Sequence, residues 1–297
     1  MHTSAAGKLR ELLRSRMVVA PGAFNAMTAR LVEQAGFEAV YMTGSGTSAA
    51  YGYPDFGLLT MTEMVENAAA IARSVTIPLI ADADTGYGNE LNVTRTVREY
   101  EQRGVAALHL EDQVAPKRCG HLGGKEVVSR QEFIAKVAAA AAARRDPDFL
   151  IIARTDARAV VSFDEAVARA NAALAAGADM AFVEAPQTME EVVAIPKLVH
   201  GPCLFNVAPG TSSPVFDLRE AAKMGYALCI VPGILSKATI EACDDALQLL
   251  KTTHLPPTPR MSVADTFRRF GADEWNALRR RFAGASADSS EPDRSKG

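Results

Sequence analysis

The sequence predicts an α/β fold, a (β/α)8 barrel of the TIM type. Eight short apolar runs recur along the chain, and each is followed by turn residues and then by a helical pattern. Strands that alternate with helices pair in parallel, and near-continuous apolar runs indicate strands that are buried on both faces. Eight repeats in roughly 230 residues fit such a barrel. An open doubly wound sheet is the competing fold, but the PGAFNA turn after the first run lacks a GxGxxG pattern.

The elements follow in order along the chain. The predicted strands are residues 18–24, 39–45, 78–84, 107–112, 150–156, 180–185, 203–208 and 226–232. The helical patterns between them include residues 91–104, 163–178 and 216–226. Gly104, Gly177 and Gly225 stand where helices should end, since glycine is the preferred residue just beyond a helix C-terminus.

Composition and charge exclude several classes of function. The 297 residues are 48% hydrophobic and 23% charged, with a net charge of −3 and scattered basic residues, so no nucleic-acid partner is expected. No segment approaches the ~18 consecutive apolar residues of a membrane span, and the N-terminus has no signal-peptide core. Cys119, Cys203, Cys229 and Cys243 do not form a disulfide framework. A cytoplasmic protein with reduced thiols is therefore predicted.

The chain is predicted to contain a catalytic barrel followed by a shorter segment. The barrel is assigned to residues 1–255, a helical extension to 256–285 after a proline-rich break, and a disordered tail to 286–297. The apolar side of the extension consists of Phe267, Phe270, Trp275, Leu278 and Phe282. Such a stripe predicts docking on a neighbouring subunit, and packing on its own barrel is the alternative.

Polar residues fall at the carboxyl ends of the predicted strands. They are Thr43–Gly46, Asp82, Asp84, Glu111, Asp112, Arg154–Asp156, Glu184 and Asn206. The loops at this end of a barrel build the active site, and the polar groups lie where that rule requires them. The agreement predicts an enzyme.

Three of these residues form a candidate metal site. Asp82 and Asp84 have period-2 spacing, which predicts that both point to the same side of the third strand, near Glu111 on the next strand. Converging carboxylates repel and raise one another's pKa, and a hard cation relieves this repulsion. All-oxygen ligation suits Mg²⁺, with Mn²⁺ as the alternative. Capping of helices or pairing with Arg154 and Lys117 is the structural alternative.

The segment EDQVAPKRCGHLGGK (111–125) places a thiol in a polar, glycine-rich loop. Lys117, Arg118 and His121 flank Cys119, and neighbouring cations lower the pKa of a thiol, while its protonated form can give a proton to a carbanion. The glycines allow the loop to move as a lid. Zinc ligation by Cys119 and His121, or an ordinary surface loop, are the alternatives.

Five further positions suit an anionic ligand. Arg154 is permanently charged and fork-shaped, as a carboxylate clamp requires, although it could instead pair with neighbouring carboxylates. Ser45, Gly46 and Thr47 offer hydroxyl and backbone N–H groups. Asn206 could serve equally as a ligand or as a strand-end cap.

Five segments together resemble the isocitrate lyase/phosphoenolpyruvate mutase superfamily. They are YMTGSG (41–46), YGYPDFG (51–57), ADADTGYG (81–88), HLEDQVAPKRCGH (109–121) and IARTDA (152–157). The resemblance runs in order from about residue 8 to residue 250. KRCGH is similar to the signature of the lyase branch of this family and is the most specific of the matches.

The resemblance implies a site and an assembly. It implies Mg²⁺ near Asp82, Asp84 and Glu111, with Asp84 the most direct ligand. It also implies a barrel whose last helix is exchanged between paired subunits, in a homotetramer built as a dimer of dimers. The residues that would bind the small carboxylic acid substrate or the metal waters are Ser45, Gly46, Thr47, Asp55, Gly120, Arg154, Glu184 and Asn206.

The chemistry that the resemblance implies is cleavage of a carbon–carbon bond. A 2-hydroxy or 2-oxo carboxylate would break to release an enolate-like carbanion, which the Cys119 thiol would protonate. Lys117, Arg118 and His121 would stabilise the developing charge, on a mobile loop that spans about 114–126.

The substrate is expected to be a small dicarboxylate of the dimethylmalate or oxaloacetate type. Ser45-Gly46-Thr47 and APGTSSP (208–214) depart from the pattern of 2-methylisocitrate lyases, and their C-terminal arginine has no clear match here. Cleavage of 2-methylisocitrate to pyruvate and succinate is the main alternative. A phosphonate mutase or hydrolase, a carboxyphosphonate phosphorylmutase and a non-catalytic acid-binding barrel are further alternatives. A Schiff-base aldolase that uses Lys117 is less expected, because this lysine is expected in an exposed cationic loop.

Overall fold

Eight parallel strands close into a barrel in chain order. The computed structural model describes residues 3–120, 123–211 and 213–287. The strands are β1 Val18–Ala23, β2 Val40–Met42, β3 Leu79–Asp82, β4 Ala107–Glu111, β5 Leu150–Thr155, β6 Met180–Val183, β7 Cys203–Asn206 and β8 Leu228–Val231. The barrel closes because β1 pairs with both β2 and β8. This confirms the predicted (β/α)8 architecture.

Helices connect the strands and continue beyond the last of them. They are α1 Ala5–Ser15, α2 Ala26–Gln34, α3 Gly44–Ala50, α4 Met61–Ser74, α5 Glu90–Gln102, α6 Arg130–Ala143, α7 Ala157–Val160, α8 Phe163–Ala175, α9 Met189–Leu198, α10 Leu218–Met224, α11 Ile234–Thr253, α12 Val263–Arg269 and α13 Ala272–Ala287. The glycines predicted at helix ends all have positive φ, +81° at Gly104, +106° at Gly177 and +101° at Gly225. Only glycine adopts this backbone region without a steric penalty.

Side chains from alternate strands fill the barrel interior. The rings of Tyr41 on β2 and His109 on β4 stack with centroids 5.7 Å apart, and Phe182 on β6 meets His109 edge-on at 5.6 Å. Side chains on alternate strands of a closed sheet can contact each other in this way only in the interior of the barrel. A packed layer therefore lies beneath the carboxyl ends of these strands.

The outer helices bury one face each, and α5 illustrates how they position the strand ends. Val93, Val97 and Tyr100 recur at helical spacing and are fully or almost fully buried. The Tyr100 hydroxyl also donates to the main-chain carbonyl of Asp82, at 2.9 Å. The end of β3 is thereby fixed by a helix outside the barrel.

The chain divides into two compact units, Met1–Ile240 and Glu241–Gly297. The second unit carries exposed apolar side chains, including Phe267 and Trp275, and Trp275 is 69% exposed. The division at residue 255 expected from the sequence stays a prediction. Residues 288–297, most of the predicted tail, lie outside the described residues.

Within the described part of the chain, no helix combines the length and the apolar character needed to cross a membrane.

Candidate active site

Asp82, Asp84 and Glu111 are all buried at the carboxyl ends of β3 and β4. Asp82 Oδ1 accepts the N–H of Asp84 at 2.9 Å, and Asp82 Oδ2 accepts the N–H of Gly44 at 3.2 Å. The expectation that both aspartates point from one strand face is wrong, because β3 ends at Asp82 and Asp84 has a left-handed φ of +45°. The tight turn, and not strand periodicity, brings Asp84 back beside Asp82.

Lys117 lies inside this group of carboxylates. Its Nζ is 2.9 Å from Asp84 Oδ1 and 2.5 Å from Asp55 Oδ1, and its side chain is only 3% exposed. The sequence interpretation placed this lysine in an exposed loop, and that was wrong. Burial disfavours the ammonium ion, but Asp84, Glu111 and the other carboxylates outweigh it and raise the pKa of Lys117 well above its usual value. Such a lysine is protonated and is poorly suited to act as a nucleophile.

The carboxylates differ in how strongly they hold their charge. Burial raises the pKa of Asp84 to about 6, against the opposing effect of Lys117, and burial also raises the pKa of Glu111 well above its usual range. Burial has the same tendency at Asp82, but neighbouring positive charge lowers the pKa of Asp82 to about 2. The neighbours that lower it are His109 first and then Lys117 and Arg154, and burial in turn lowers the pKa of His109.

Arg154, at the end of β5, contacts three carboxylates at once. Its Nε is 2.9 Å from Asp156 Oδ2, its Nη1 is 3.1 Å from Glu111 Oε2 and its Nη2 is 3.5 Å from Glu184 Oε2. The structural pairing weighed from the sequence, with Asp156 or Glu184, is therefore present. The guanidinium also lies over the Phe182 ring, 5.3 Å from its centroid.

Ser45, Gly46 and Thr47 lie in the first turns of α3, directly after β2. Thr43 caps this helix, and its Oγ1 is 3.0 Å from the Oγ of the half-buried Ser45. Thr47 is buried, and its hydroxyl accepts a hydrogen bond of 3.1 Å from Asn67. Of the two hydroxyls, that of Ser45 is the better placed for a ligand.

Glu184 and Asn206 meet at the ends of β6 and β7. Asn206 Nδ2 lies 3.1 Å and 3.3 Å from the two carboxylate oxygens of Glu184, and the N–H of Ala185 donates to the same carboxylate at 2.9 Å. The asparagine therefore orients the carboxylate that faces Arg154.

The segment that carries Cys119 is held by its neighbours in sequence. The Gln113 side chain donates to the carbonyl of Arg118 at 2.9 Å and accepts its N–H at 3.0 Å. Arg118 is exposed, with its guanidinium 5.9 Å from the centroid of the Phe56 ring, and Cys119 is half-buried. The backbone on which the thiol is mounted is therefore fixed from one side by an amide side chain.

Gly120 brings this segment onto the carboxylate and cation cluster. A Cβ at Gly120 would collide with Arg154 Nη2 and would lie 2.9 Å from Glu184 Cγ, so no larger residue fits. The structure therefore brings Cys119, Lys117 and Gly120 to the ends of β3–β6. His121, also predicted to act here, lies outside the described residues.

Two residues below the carboxylates were missed by sequence reasoning. The Tyr41 hydroxyl is 2.8 Å from His109 Nε2 and 3.4 Å from Asp82 Oδ2. His109 Nε2 is in turn 3.7 Å from Asp82 Oδ1. The signal was strand periodicity, because His109 precedes Glu111 by two positions on β4 and so shares its face.

A second missed network lies behind β5. Asp112 is fully buried and accepts the Thr155 hydroxyl at 2.6 Å, the N–H of Asp156 at 2.8 Å and Arg169 Nη1 at 3.0 Å. Because Asp156 holds Arg154, this network fixes the arginine from outside the site. Nothing in the sequence indicated a role for Arg169 on α8, because Asp112 is distant from it in sequence.

The family model for phosphoenolpyruvate phosphomutase matches residues 9–251, most of the chain. The chain belongs to this family, the PEP mutase/isocitrate lyase superfamily. The resemblance inferred from the sequence motifs is thereby confirmed.

Several relatives in the family are similar to this chain over most of their length. The chain is 49% identical over 277 residues to 2,3-dimethylmalate lyase of Eubacterium barkeri, covering 93% of this chain and 94% of that one. It is 53% identical over 235 residues to a probable 2-methylisocitrate lyase of Corynebacterium glutamicum, covering 78% and 76%. These names confirm the expectation of a carbon–carbon lyase.

Solved structures of the family superimpose closely. Oxaloacetate acetylhydrolase with 3,3-difluorooxalacetate gives a TM-score of 0.91 at 36% identity, covering 95% of this chain and 98% of that one. Phosphonopyruvate hydrolase with oxalate and Mg²⁺ gives 0.82 at 33% identity, covering 94% and 99%.

Replacing Asp112 by alanine should strongly destabilise the barrel. The change removes the buried one of the two carboxylates that pair with Arg169, leaving only Glu165, and takes away the acceptor of the Thr155 hydroxyl and of the Asp156 N–H. Breaking a buried pair in this way typically costs about 3–5 kcal/mol in the free energy of unfolding. The control is Glu38→Ala, which breaks a solvent-exposed pair with Arg16 and should cost about 1 kcal/mol or less. Urea unfolding followed by circular dichroism measures both, and equal losses would contradict the structural role of Asp112.

Proposed function

We propose that the chain is a Mg²⁺-dependent carbon–carbon lyase that cleaves a small 2-hydroxy or 2-oxo dicarboxylate. One observation carries the proposal: buried carboxylates at the ends of β3 and β4 meet Arg154 beneath the segment that carries Cys119. Such a site offers groups for a metal, for a substrate carboxylate and for proton donation within one small volume.

The oxygen atoms present fit a divalent cation. Glu111 Oε1 is buried and accepts no hydrogen bond from the described residues, while Asp84 Oδ1 and Glu111 Oε2 face the cations Lys117 and Arg154 at 2.9 Å and 3.1 Å. Hard oxygen donors suit Mg²⁺ or Mn²⁺, and Asp84 would be the direct ligand, with Asp82 and Glu111 holding metal-bound waters. A bound ion would polarise the carboxylate and the adjacent hydroxyl or oxo oxygen of the substrate.

Few protein side chains are available as metal ligands at this site. Among the described residues, no group of three or more His, Cys, Asp or Glu side chains has the arrangement of a metal site by itself. Sparse protein ligation is typical of Mg²⁺, which keeps several waters and often takes ligands from the substrate. The phosphonopyruvate hydrolase structure, in which both oxalate and Mg²⁺ are bound, supports the same arrangement here.

The substrate would be held by charge and by hydrogen-bond donors at the barrel mouth. Arg154 would bind a carboxylate, since it is permanently charged and pre-oriented by Asp156. Ser45 and the backbone of α3 would bind a second group. The remaining contacts would come from Gly46, Thr47, Asp55, Gly120, Glu184 and Asn206.

Cys119 would act as the proton donor. A buried carboxylate of the site would take the proton of the 2-hydroxyl group, which in a 2-oxo acid is a hydroxyl of the hydrate formed by addition of one water, and would later release that proton to solvent. As this oxygen becomes a carbonyl or carboxyl oxygen, the carbon–carbon bond breaks and its electron pair stays on the departing fragment. The thiol gives its proton to that carbanion, and the thiolate regains a proton from solvent. Lys117, Arg118 and His121 would stabilise the negative charge that develops.

A substrate of the dimethylmalate or oxaloacetate type is preferred, and 2-methylisocitrate is the second candidate. The departures at Ser45-Gly46-Thr47 and 208–214 favour the smaller acid. The 53% identity to a probable 2-methylisocitrate lyase favours the larger one. Carbon–phosphorus chemistry, suggested by the neighbouring phosphonopyruvate hydrolase, is disfavoured by the cysteine in KRCGH.

We propose further that the protein is a cytoplasmic homotetramer. The exposed apolar side chains of residues 256–285 support docking on another subunit, as in an exchanged helix. None of the four cysteines, all of them described residues, forms a disulfide, which is consistent with a reducing compartment.

A panel of acids with Mg²⁺ tests the reaction and the thiol together. Products from 2,3-dimethylmalate, oxaloacetate, 2-methylisocitrate and phosphonopyruvate are followed by NMR, including ³¹P. We expect cleavage of a dicarboxylate, and a loss of about 10²–10⁴-fold in Cys119→Ser because the proton donor is removed. Cys243→Ser, at an exposed free cysteine, is the control and should keep full activity.

Other outcomes of the panel would contradict specific parts of the proposal. Equal or faster turnover of 2-methylisocitrate would reject the dicarboxylate preference. Turnover that survives Cys119→Ser would reject the thiol as proton donor. Rearrangement of phosphonopyruvate would reject the lyase reaction itself.

Removal of the chain from Pro256 onward should weaken subunit association. The truncation deletes the apolar side chains of Phe267 and Trp275, which are exposed on one chain and would be covered in an assembly. Sedimentation velocity of the full chain and of the truncated chain measures the change, and the expected result is a smaller species. Unchanged association would count against the docking role of this segment.

A further inference from the structure

Lys125 has a buried side chain although its neighbours Gly123, Gly124 and Glu126 are exposed. It follows the exposed Gly123 and Gly124, and Gly124 has a φ of +77°. The Lys125 side chain is nevertheless only 3% exposed, and its Nζ lies 2.7 Å from Asp156 Oδ1. The glycines thus let the chain turn so that a lysine enters the protein from a surface loop.

The same ammonium group donates to the main-chain carbonyl of Gly120, the residue that follows Cys119. Lys125 therefore links the segment that carries the thiol to the carboxylate of Asp156 at the end of β5. These two parts of the chain are distant in sequence. A buried ammonium needs such partners, because removing it from water without them is costly.

Asp156 is a fixed anchor for this contact. It is fully buried, its N–H donates to Asp112 at 2.8 Å, and its carboxylate accepts two hydrogen bonds from Arg154. Lys125 and Arg154 thus share one carboxylate. The cation that positions the loop and the cation that would bind substrate are held by the same side chain.

The two ends of the loop are hydrogen-bonded to each other, independently of Lys125. The N–H of Val114 donates to the carbonyl of Glu126 at 2.9 Å, and the N–H of Val128 donates to Asp112 at 2.8 Å. These bonds fix the base of the loop but leave Cys119 and Gly120 several residues away. Lys125 supplies a link from the base to this distal part, and Gly120 packs against Arg154 and Glu184 there.

We propose that Lys125 is a positioning residue that holds the Cys119–Gly120 backbone over Arg154 by joining the Gly120 carbonyl to Asp156. The proposal rests on the lyase function given above, since that function gives Cys119 its role. Lys125 acts through Gly120 and Asp156 and does not touch the reacting atoms. Its loss lets the thiol move away from the substrate without removing any catalytic group.

Lys125→Met tests this, because methionine keeps an unbranched side chain but removes the charge and the donors. The first readout is alkylation of Cys119 by iodoacetamide with Mg²⁺ and oxalate present, measured by mass spectrometry of the Cys119 peptide. We expect a rate about tenfold above that of the wild type, since charge-assisted hydrogen bonds restrain the segment. The matched control is Lys136→Met, at a lysine of α6 that is 6% exposed and pairs with Glu132.

The second readout is steady-state kinetics. A misplaced proton donor should lower kcat on the order of 100-fold and change KM far less, because Arg154, Ser45 and Asn206, which would bind substrate, do not contact Lys125. A purely structural role would instead affect Lys125→Met and Lys136→Met alike.

The possible results distinguish failure of the positioning role of Lys125 from failure of the proposed lyase function. Alkylation of Cys119 at the wild-type rate in Lys125→Met, or a change confined to KM, would overturn the positioning role. If Lys125→Met does not fold, Lys125→Gln must show the faster alkylation, and a wild-type rate there would overturn the role equally. Absence of turnover on every acid by the wild type would reject the lyase function, while alkylation would still decide the role of Lys125.

Discussion

The pairing of buried carboxylates with two buried cations, Lys117 and Arg154, is the interaction on which the mouth of the barrel depends. Asp82, Asp84, Glu111, Asp156 and Glu184 are all buried within a small volume. Without positive charge among them, their mutual repulsion and desolvation would drive them to the neutral form. The raised pKa values of Asp84 and Glu111 show that the two side-chain cations do not fully compensate this cost. The divalent metal ion proposed above would supply additional positive charge.

The barrel supplies the rigidity that this arrangement needs. Parallel strands end at one rim, so residues far apart in sequence meet there. Contacts from the surrounding helices help to fix the ends of β3 and β5. The Tyr100 hydroxyl holds β3 from α5, and Arg169 on α8 holds Asp112 behind β5. The charged groups are therefore oriented before any ligand arrives, which lowers the cost of binding it.

The sequence was sufficient to predict the strands and the barrel, because apolar runs and turn residues are local signals that eight repeats reinforce. It also placed the polar residues at the correct rim. It failed where geometry is set by tertiary contacts. Strand periodicity could not foresee the left-handed turn at Asp84, and a polar loop gave no indication that Lys117 is buried. Asp55 and Asp84 pair with Lys117, but both are distant from it in sequence and meet it only in the folded chain.

Calorimetric titration with oxalate, in the presence and absence of Mg²⁺, tests most directly whether the carboxylate cluster binds an organic acid through a divalent cation. Oxalate is a suitable probe, because it offers two carboxylates to Arg154 and to a metal ion but no bond for a lyase to cleave. We expect oxalate to bind when Mg²⁺ is present, and we expect chelation of the metal or the substitution Asp84→Asn to abolish binding. Oxalate binding of equal affinity without Mg²⁺, or full Mg²⁺-dependent binding by Asp84→Asn, would show that the cluster does not bind the acid through a divalent cation.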